Sequence, residues 1–171
     1  MSIEIISLER EGFSDNYNQY LFEQYKMYLE MADRISLRRQ SANTFFLSLN
    51  TALVALTSYA KSSVDVTIFH YLLTSLSGIF LCYVWYRLVL SYKNLNSAKF
   101  KVIHEIEKLL PLKLFEAEWE AVGRGKNKAL YHPFTNLEMK VPWIFTGVYA
   151  LSIAYIIPWC ELLSFLSTKL M

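Results

Sequence analysis

The chain has 171 residues, of which 54% are hydrophobic and 16% aromatic, and its formal net charge is +2. That charge is too small for a nucleic-acid surface, and no basic stripe with interleaved aromatics occurs. The hydrophobic share is high for a soluble domain of this length. Three windows carry no Asp, Glu, Lys or Arg: 41–60, 66–86 and 141–160. Each has the length that spans a hydrocarbon core of roughly 30 Å.

Residues 1–14 form an N-terminal arm with Ile3, Ile5, Ile6 and Leu8 among charged neighbours, which fits a short strand or a frayed segment. A first apolar window that opens only after residue 40 argues against a signal peptide. Asp15 or Asn16 is the expected helix N-cap. Residues 15–40 then read as a cytosolic amphipathic helix. Leu21, Tyr25, Tyr28, Ala32 and Ile35 recur at spacings of four, three, four and three, a heptad seam. The seam serves either packing on the chain's own cytosolic segment or contact with a neighbouring subunit.

Arg34, Arg38 and Arg39 stand at the membrane boundary, where positive charge holds a segment in the cytosol and meets anionic headgroups. No Gly or Pro falls between Gly12 and Gly78, so the amphipathic helix is expected to run without a break into the first span, 41–60. Within it Ser41, Thr44, Ser48, Thr51, Ala55 and Ser58 make one small, weakly polar stripe, suited to close helix packing or to the wall of a water-filled path. Asn50 sits near mid-span, and the cost of a bare amide in hydrocarbon requires it to face protein.

Lys61–Asp65 is a short connector to the second span, 66–86. There Thr74, Gly78 and Cys82 recur every four residues as a small-residue face. His70 reads as an interfacial or packed histidine rather than a proton relay. Tyr83, Trp85, Tyr86 and Arg87 make an aromatic belt with a basic exit. Residues 87–140 form a helical cytosolic segment: an amphipathic helix at Lys99–Leu110 stopped by Pro111, a short helix at Leu114–Val122, the loop Gly123–Arg124–Gly125, and an extended connector from Tyr131. The third span, 141–160, carries Thr146, Ala150 and Ala154 at four-residue intervals, and 161–171 reads as an interfacial tail.

His104 and Glu107 lie one turn apart, a spacing a metal would accept, but no recognised ligand pattern accompanies them. No nucleophile elbow, P-loop or zinc-protease motif occurs, so neither an enzyme nor a cofactor is expected. Cys82 and Cys160 fall near opposite faces of the membrane and are not expected to pair. Of the seventeen Lys and Arg residues, five precede the first span, ten lie in Arg87–Lys140, and only Lys61 and Lys169 remain. This bias puts the N-terminus in the cytosol and the C-terminus outside. The expected fold is therefore an all-α membrane protein with three transmembrane helices.

The blocks YLEMADRISLRRQSANTFFLSLNTAL, KFKVIHEIEKLLP, Glu118–Trp119 and YHPFTNLEMKVPWIF resemble the RipA family of octameric bacterial membrane proteins. The resemblance runs from about Tyr28 to Phe145. It implies a multi-pass protein of the bacterial inner membrane, assembled from eight copies, whose partners are itself and lipid. The residues permit two roles for such an assembly: a ring-like scaffold or channel, or a signal-responsive effector that permeabilises the membrane. In the second role Arg124, Lys126 and Lys128 are the candidate phosphate ligands.

Overall fold

The computed structural model describes residues 5–7, 16–63, 67–127, 129–131 and 133–157. The rest of the N-terminal arm, the Asp15 cap, His132, Lys128, Cys160 and the tail lie outside the described residues. Those described are all-helical: α1 (Tyr17–Ser63), α2 (Ile68–Glu107), α3 (Leu114–Ala121), a 3₁₀ turn (Gly123–Gly125), α4 (Phe134–Glu138) and α5 (Val141–Ile156). The uninterrupted α1 matches the expectation from the Gly- and Pro-free run. Three boundaries differ. The connector expected at Lys61 is helical as far as Ser63. The second apolar window and the amphipathic stretch after it are one 40-residue helix. The connector after Tyr131 contains α4, with Pro133 just ahead of it, where a missing N–H costs little.

The chain divides into two compact units. Unit 1 holds 1–43 and 87–138, and unit 2 holds 44–86 and 139–171. In unit 1, Tyr25, Ala32 and Ile103 form the buried centre, with Tyr28, Leu29, Phe100, Ile106, Leu110 and Phe115 around them. Residues 5–7 lie beside Tyr17, Leu21, Val102 and Ile106 along a groove of about 410 Å³. In unit 2, Trp85 stacks on Phe46 at 5.9 Å and leans on Phe145 at 6.3 Å, bringing α1, α2 and α5 together.

Both long helices keep a 3.5-residue repeat on their packed side. On α1 the series Tyr25, Leu29, Ala32, Ser36, Arg39, Asn43, Phe46, Asn50, Leu53 and Thr57 contains no exposed residue. On α2 the same holds for Ser75, Gly78, Cys82, Trp85, Val89, Tyr92, Asn96, Lys99, Ile103 and Ile106. A strict seven-residue repeat keeps one stripe turned towards a partner over many turns. Gly78 and Cys82 of the expected small-residue face lie in this buried seam, which enters them from Ser75 rather than from half-buried Thr74. Thr74 instead returns its hydroxyl to the His70 carbonyl at 2.6 Å.

Among the described residues, two helical segments are long and apolar enough to cross a membrane, Ile68–Glu107 and Phe134–Ile156, with mean hydropathies of 1.5 and 1.3 over their best windows. Only 22% and 11% of those windows are buried, the reverse of a soluble core helix. The stretch 41–60 does not reach that hydropathy. Its eight hydroxyl and amide side chains, from Ser41 to Ser58, offset its leucines and phenylalanines.

Candidate functional site

The polar chemistry of unit 2 converges on Asn50. Its side chain is fully buried, as the cost of a bare amide requires. The amide nitrogen donates to the Phe46 carbonyl one turn back, at 2.8 Å. The amide oxygen accepts from the Tyr149 hydroxyl at 3.1 Å and the Cys82 thiol at 3.4 Å. The Tyr149 hydroxyl also lies 3.4 Å from the Asn50 carbonyl. One residue from each of α1, α2 and α5 thus closes a network without water. Gly78 makes the approach possible, because a Cβ there would overlap the Tyr149 ring. The reason is closeness rather than backbone freedom. Tyr149 was missed in the sequence. The available signal was a hydroxyl-bearing ring in mid-span, which needs a buried partner as much as Asn50 does.

The other hydroxyls of 41–60 behave differently. Ser41, Thr44, Ser48, Thr51, Ala55 and Ser58 are all exposed. Thr51 and Ser58 bond back to Leu47 and Val54 of their own helix, at 2.8 Å each. Among the described residues the stripe is therefore left outside the packed seam. It lies on the side of α1 opposite the Phe46–Asn50 seam. On α5, Ala150 is likewise exposed, Thr146 and Ala154 are half-buried, and Pro142 and Tyr149 are buried.

In unit 1 the counterpart is Glu107, the last residue of α2 and fully buried. It accepts from the Tyr25 hydroxyl at 3.2 Å and from the backbone N–H groups of Phe115 and Glu116 at 2.9 and 3.1 Å. A carboxylate thus caps the first turn of α3, where the helix dipole favours negative charge. Burial, reinforced by the Glu107 charge and hydrogen bond, pushes the Tyr25 phenol up to about 12. Glu107 is thereby committed, and no cluster of three metal-ligating side chains exists among the described residues.

Of the predicted heptad residues, Tyr25, Tyr28 and Ala32 lie in the core of unit 1. Tyr25 and Ala32 are buried, and Leu21, Tyr28 and Ile35 are half-buried. Tyr28 lies under the Lys99 ammonium at 4.3 Å, which offers that largely buried cation an aromatic face. The three boundary arginines separate. Arg39 is half-buried, 3.5 Å from Glu138, and donates to the Thr135 hydroxyl at 2.9 Å, so it straps α4 to unit 1. Arg34 makes an exposed pair with Glu30 at 3.7 Å, and Arg38 is exposed. Of the candidate phosphate ligands, Arg124 is held by Glu120 at 2.6 Å and Glu116 at 3.8 Å, chiefly the former, which raises its pKa. His70 is exposed at the start of α2, its Nδ1 2.6 Å from the Thr67 hydroxyl.

No curated protein and no solved structure matches this chain. A family profile does, over residues 22–158, which takes in both units and all five helices in whole or in part. The chain belongs to the octameric membrane protein family (8xMP).

Proposed function

We propose that the protein is a non-enzymatic homo-oligomer of the bacterial inner membrane, built of eight copies as a ring-like scaffold or channel, and that RipA is its branch of the family. The carrying observation is the exposed stripe from Ser41 to Ser58. In a family named for its octamers, a small, weakly polar helix face left outside the packed seam is suited to a neighbouring copy or to a water-filled path.

In this reading the membrane is crossed three times. The half of α1 from Thr44 onward belongs to the same unit as 68–86 and 139–156 of the two strongly apolar segments. Its buried amide is satisfied by protein alone, as lipid demands. Arg38, Arg39, Arg87 and Lys140 flank the crossings on the cytosolic side, which leaves the N-terminus inside and the C-terminus outside.

The test is purification into nanodiscs, native mass spectrometry for subunit number, and ion flux in reconstituted vesicles. Eight copies with flux altered by Ser48→Leu or Thr51→Leu support the channel form. Eight copies without flux leave the scaffold form, and a monomer refutes both.

A further inference from the structure

We infer that neighbouring copies meet below the membrane head to tail, with the Met27–Arg38 stripe of α1 on one copy seated against the outer face of α3 on the next. The inference rests on the oligomeric reading above.

The first surface lies on α1, on the side away from the buried seam. Met27, Met31, Arg34 and Arg38 follow one another at spacings of four, three and four, and all are exposed. Met27 and Met31 are 58% and 46% accessible. Among the described residues both methionines lie outside the buried seam, and their flexible thioethers fit irregular partner surfaces. Arg38 has no ion pair among the described residues. The Arg34–Glu30 pair joins side chains that are 71% and 68% exposed, so water already competes for it.

The second surface is the side of α3 made by Leu114, Ala117, Glu118 and Ala121, all exposed. Its small residues leave room for a large side chain on either side of the carboxylate. Of the three α3 glutamates, Glu116 and Glu120 are engaged by Arg124. Glu118 has no ion pair among the described residues. One surface therefore offers two thioethers followed by two guanidinium groups, one of them held only by an exposed pair, and the other a carboxylate between small apolar groups.

Height matches as well. Phe115, at the start of α3, packs on Phe100 at 5.9 Å, and the adjoining Lys99 covers Tyr28. By Thr135 and Glu138 the chain has reached Arg39. With Phe115 and Glu116 bonded to Glu107 beside Tyr25, α3 starts at the level of Tyr25 and Tyr28, next to the Met27–Met31 end of the α1 stripe. Copies related by rotation about the membrane normal keep their heights, so the two patches meet without vertical slip. Rings larger than a dimer require two different patches. Self-pairing of the α1 stripe would stop at two copies and set Arg34 and Arg38 against their own kind.

The experiment is oxidative cross-linking in native membranes. A chain carrying both Met31→Cys and Glu118→Cys should give a ladder of covalent species up to eight, absent from wild type and from either single variant. Two differently tagged chains, one with each substitution, should cross-link to each other. In native mass spectra, Glu118→Arg and the pair Arg34→Glu with Arg38→Glu should each lower the octamer fraction about tenfold, and their combination should restore it. No ladder, a cross-link within one chain, or charge variants that the combination fails to restore overturns this interface, while an intact wild-type octamer leaves the oligomeric reading standing. A wild-type protein found as single subunits overturns both.

Discussion

Replacing Asn50 with Leu tests whether the three-helix junction is a network or a set of separate contacts. The substitution removes the acceptor shared by the Tyr149 hydroxyl at 3.1 Å and the Cys82 thiol at 3.4 Å. It also removes the back-bond to Phe46 at 2.8 Å. Hydrogen bonds between membrane helices average about 0.6 kcal/mol, with a maximum of about 1.7, and a buried donor left without a partner costs about 1–3 kcal/mol. The thiol is a weak donor, and the leucine regains some packing. The expected loss is therefore about 2 kcal/mol, dominated by the stranded phenol. Tyr149→Phe removes only one donor and should cost about 1 kcal/mol. In the double variant the phenol is no longer stranded, so the loss should fall short of the sum by at least about 0.5 kcal/mol. Reversible unfolding in mixed micelles, followed by near-ultraviolet circular dichroism, measures all three. Strictly additive losses would sink the network.

The remaining predictions concern single contacts. Gly78→Ala drives a methyl into the Tyr149 ring and should destabilise by about 1–3 kcal/mol, whereas Gly147→Ala, with open space around it, should change little by the same assay. Glu107→Ala strands the Tyr25 hydroxyl and two backbone donors of α3, so hydrogen exchange at Phe115 and Glu116 should quicken by at least roughly tenfold; unchanged protection there would refute the capping role. Arg39→Ala should cost about 1–3 kcal/mol because half-buried Glu138 loses its counter-charge, and Arg34→Ala less than about 0.5 kcal/mol; equal effects would refute the strapping role of Arg39. The Tyr25 phenol, raised to about 12 from its ordinary 10.0, adds stability that is fully present below pH 10 and is lost as the pH rises through about 12. Tyr25→Phe should therefore lose less stability than wild type across that window.

Much of the fold was legible because long helices advertise themselves. The Gly- and Pro-free run fixed α1, Pro111 followed the end of α2, and the Gly-Arg-Gly turn closed α3. The turn needs its residue types: Gly123 and Gly125 have φ of +68° and +69°, and Arg124 itself sits at 52°, a region that side chains other than glycine's seldom occupy. Partner choice was less legible. Glu107 has the sequence environment of any solvated helical glutamate. Only the reversal of the chain at Pro111 brings the α3 amides onto it. The heptad seam was visible, but an intramolecular and an intersubunit partner demand the same spacing, and only the structure shows Tyr25 and Ala32 buried within unit 1.

The hydroxyls of 41–60 and their low hydropathy follow from the same division of labour. A helix in lipid can leave serine and threonine outside its packed seam, because each hydroxyl has the carbonyl one turn back as an acceptor, as Thr51 and Ser58 do. An asparagine amide has more to satisfy, and the Asn50 amide is the group drawn fully inside, onto Tyr149 and Cys82. Had the stripe served only to lighten the helix, alanine would do as well and insert more readily. Retaining hydroxyls on a face left exposed among the described residues is costly in hydrocarbon and useful against another helix or water. In the proposed assembly α1 therefore works on two sides: one builds the subunit, from Tyr25 to Asn50, and the other meets its neighbour or its path, from Met27 to Ser58. Substitutions on the first side should change the stability of the chain, and substitutions on the second should change the assembly while leaving the subunit folded.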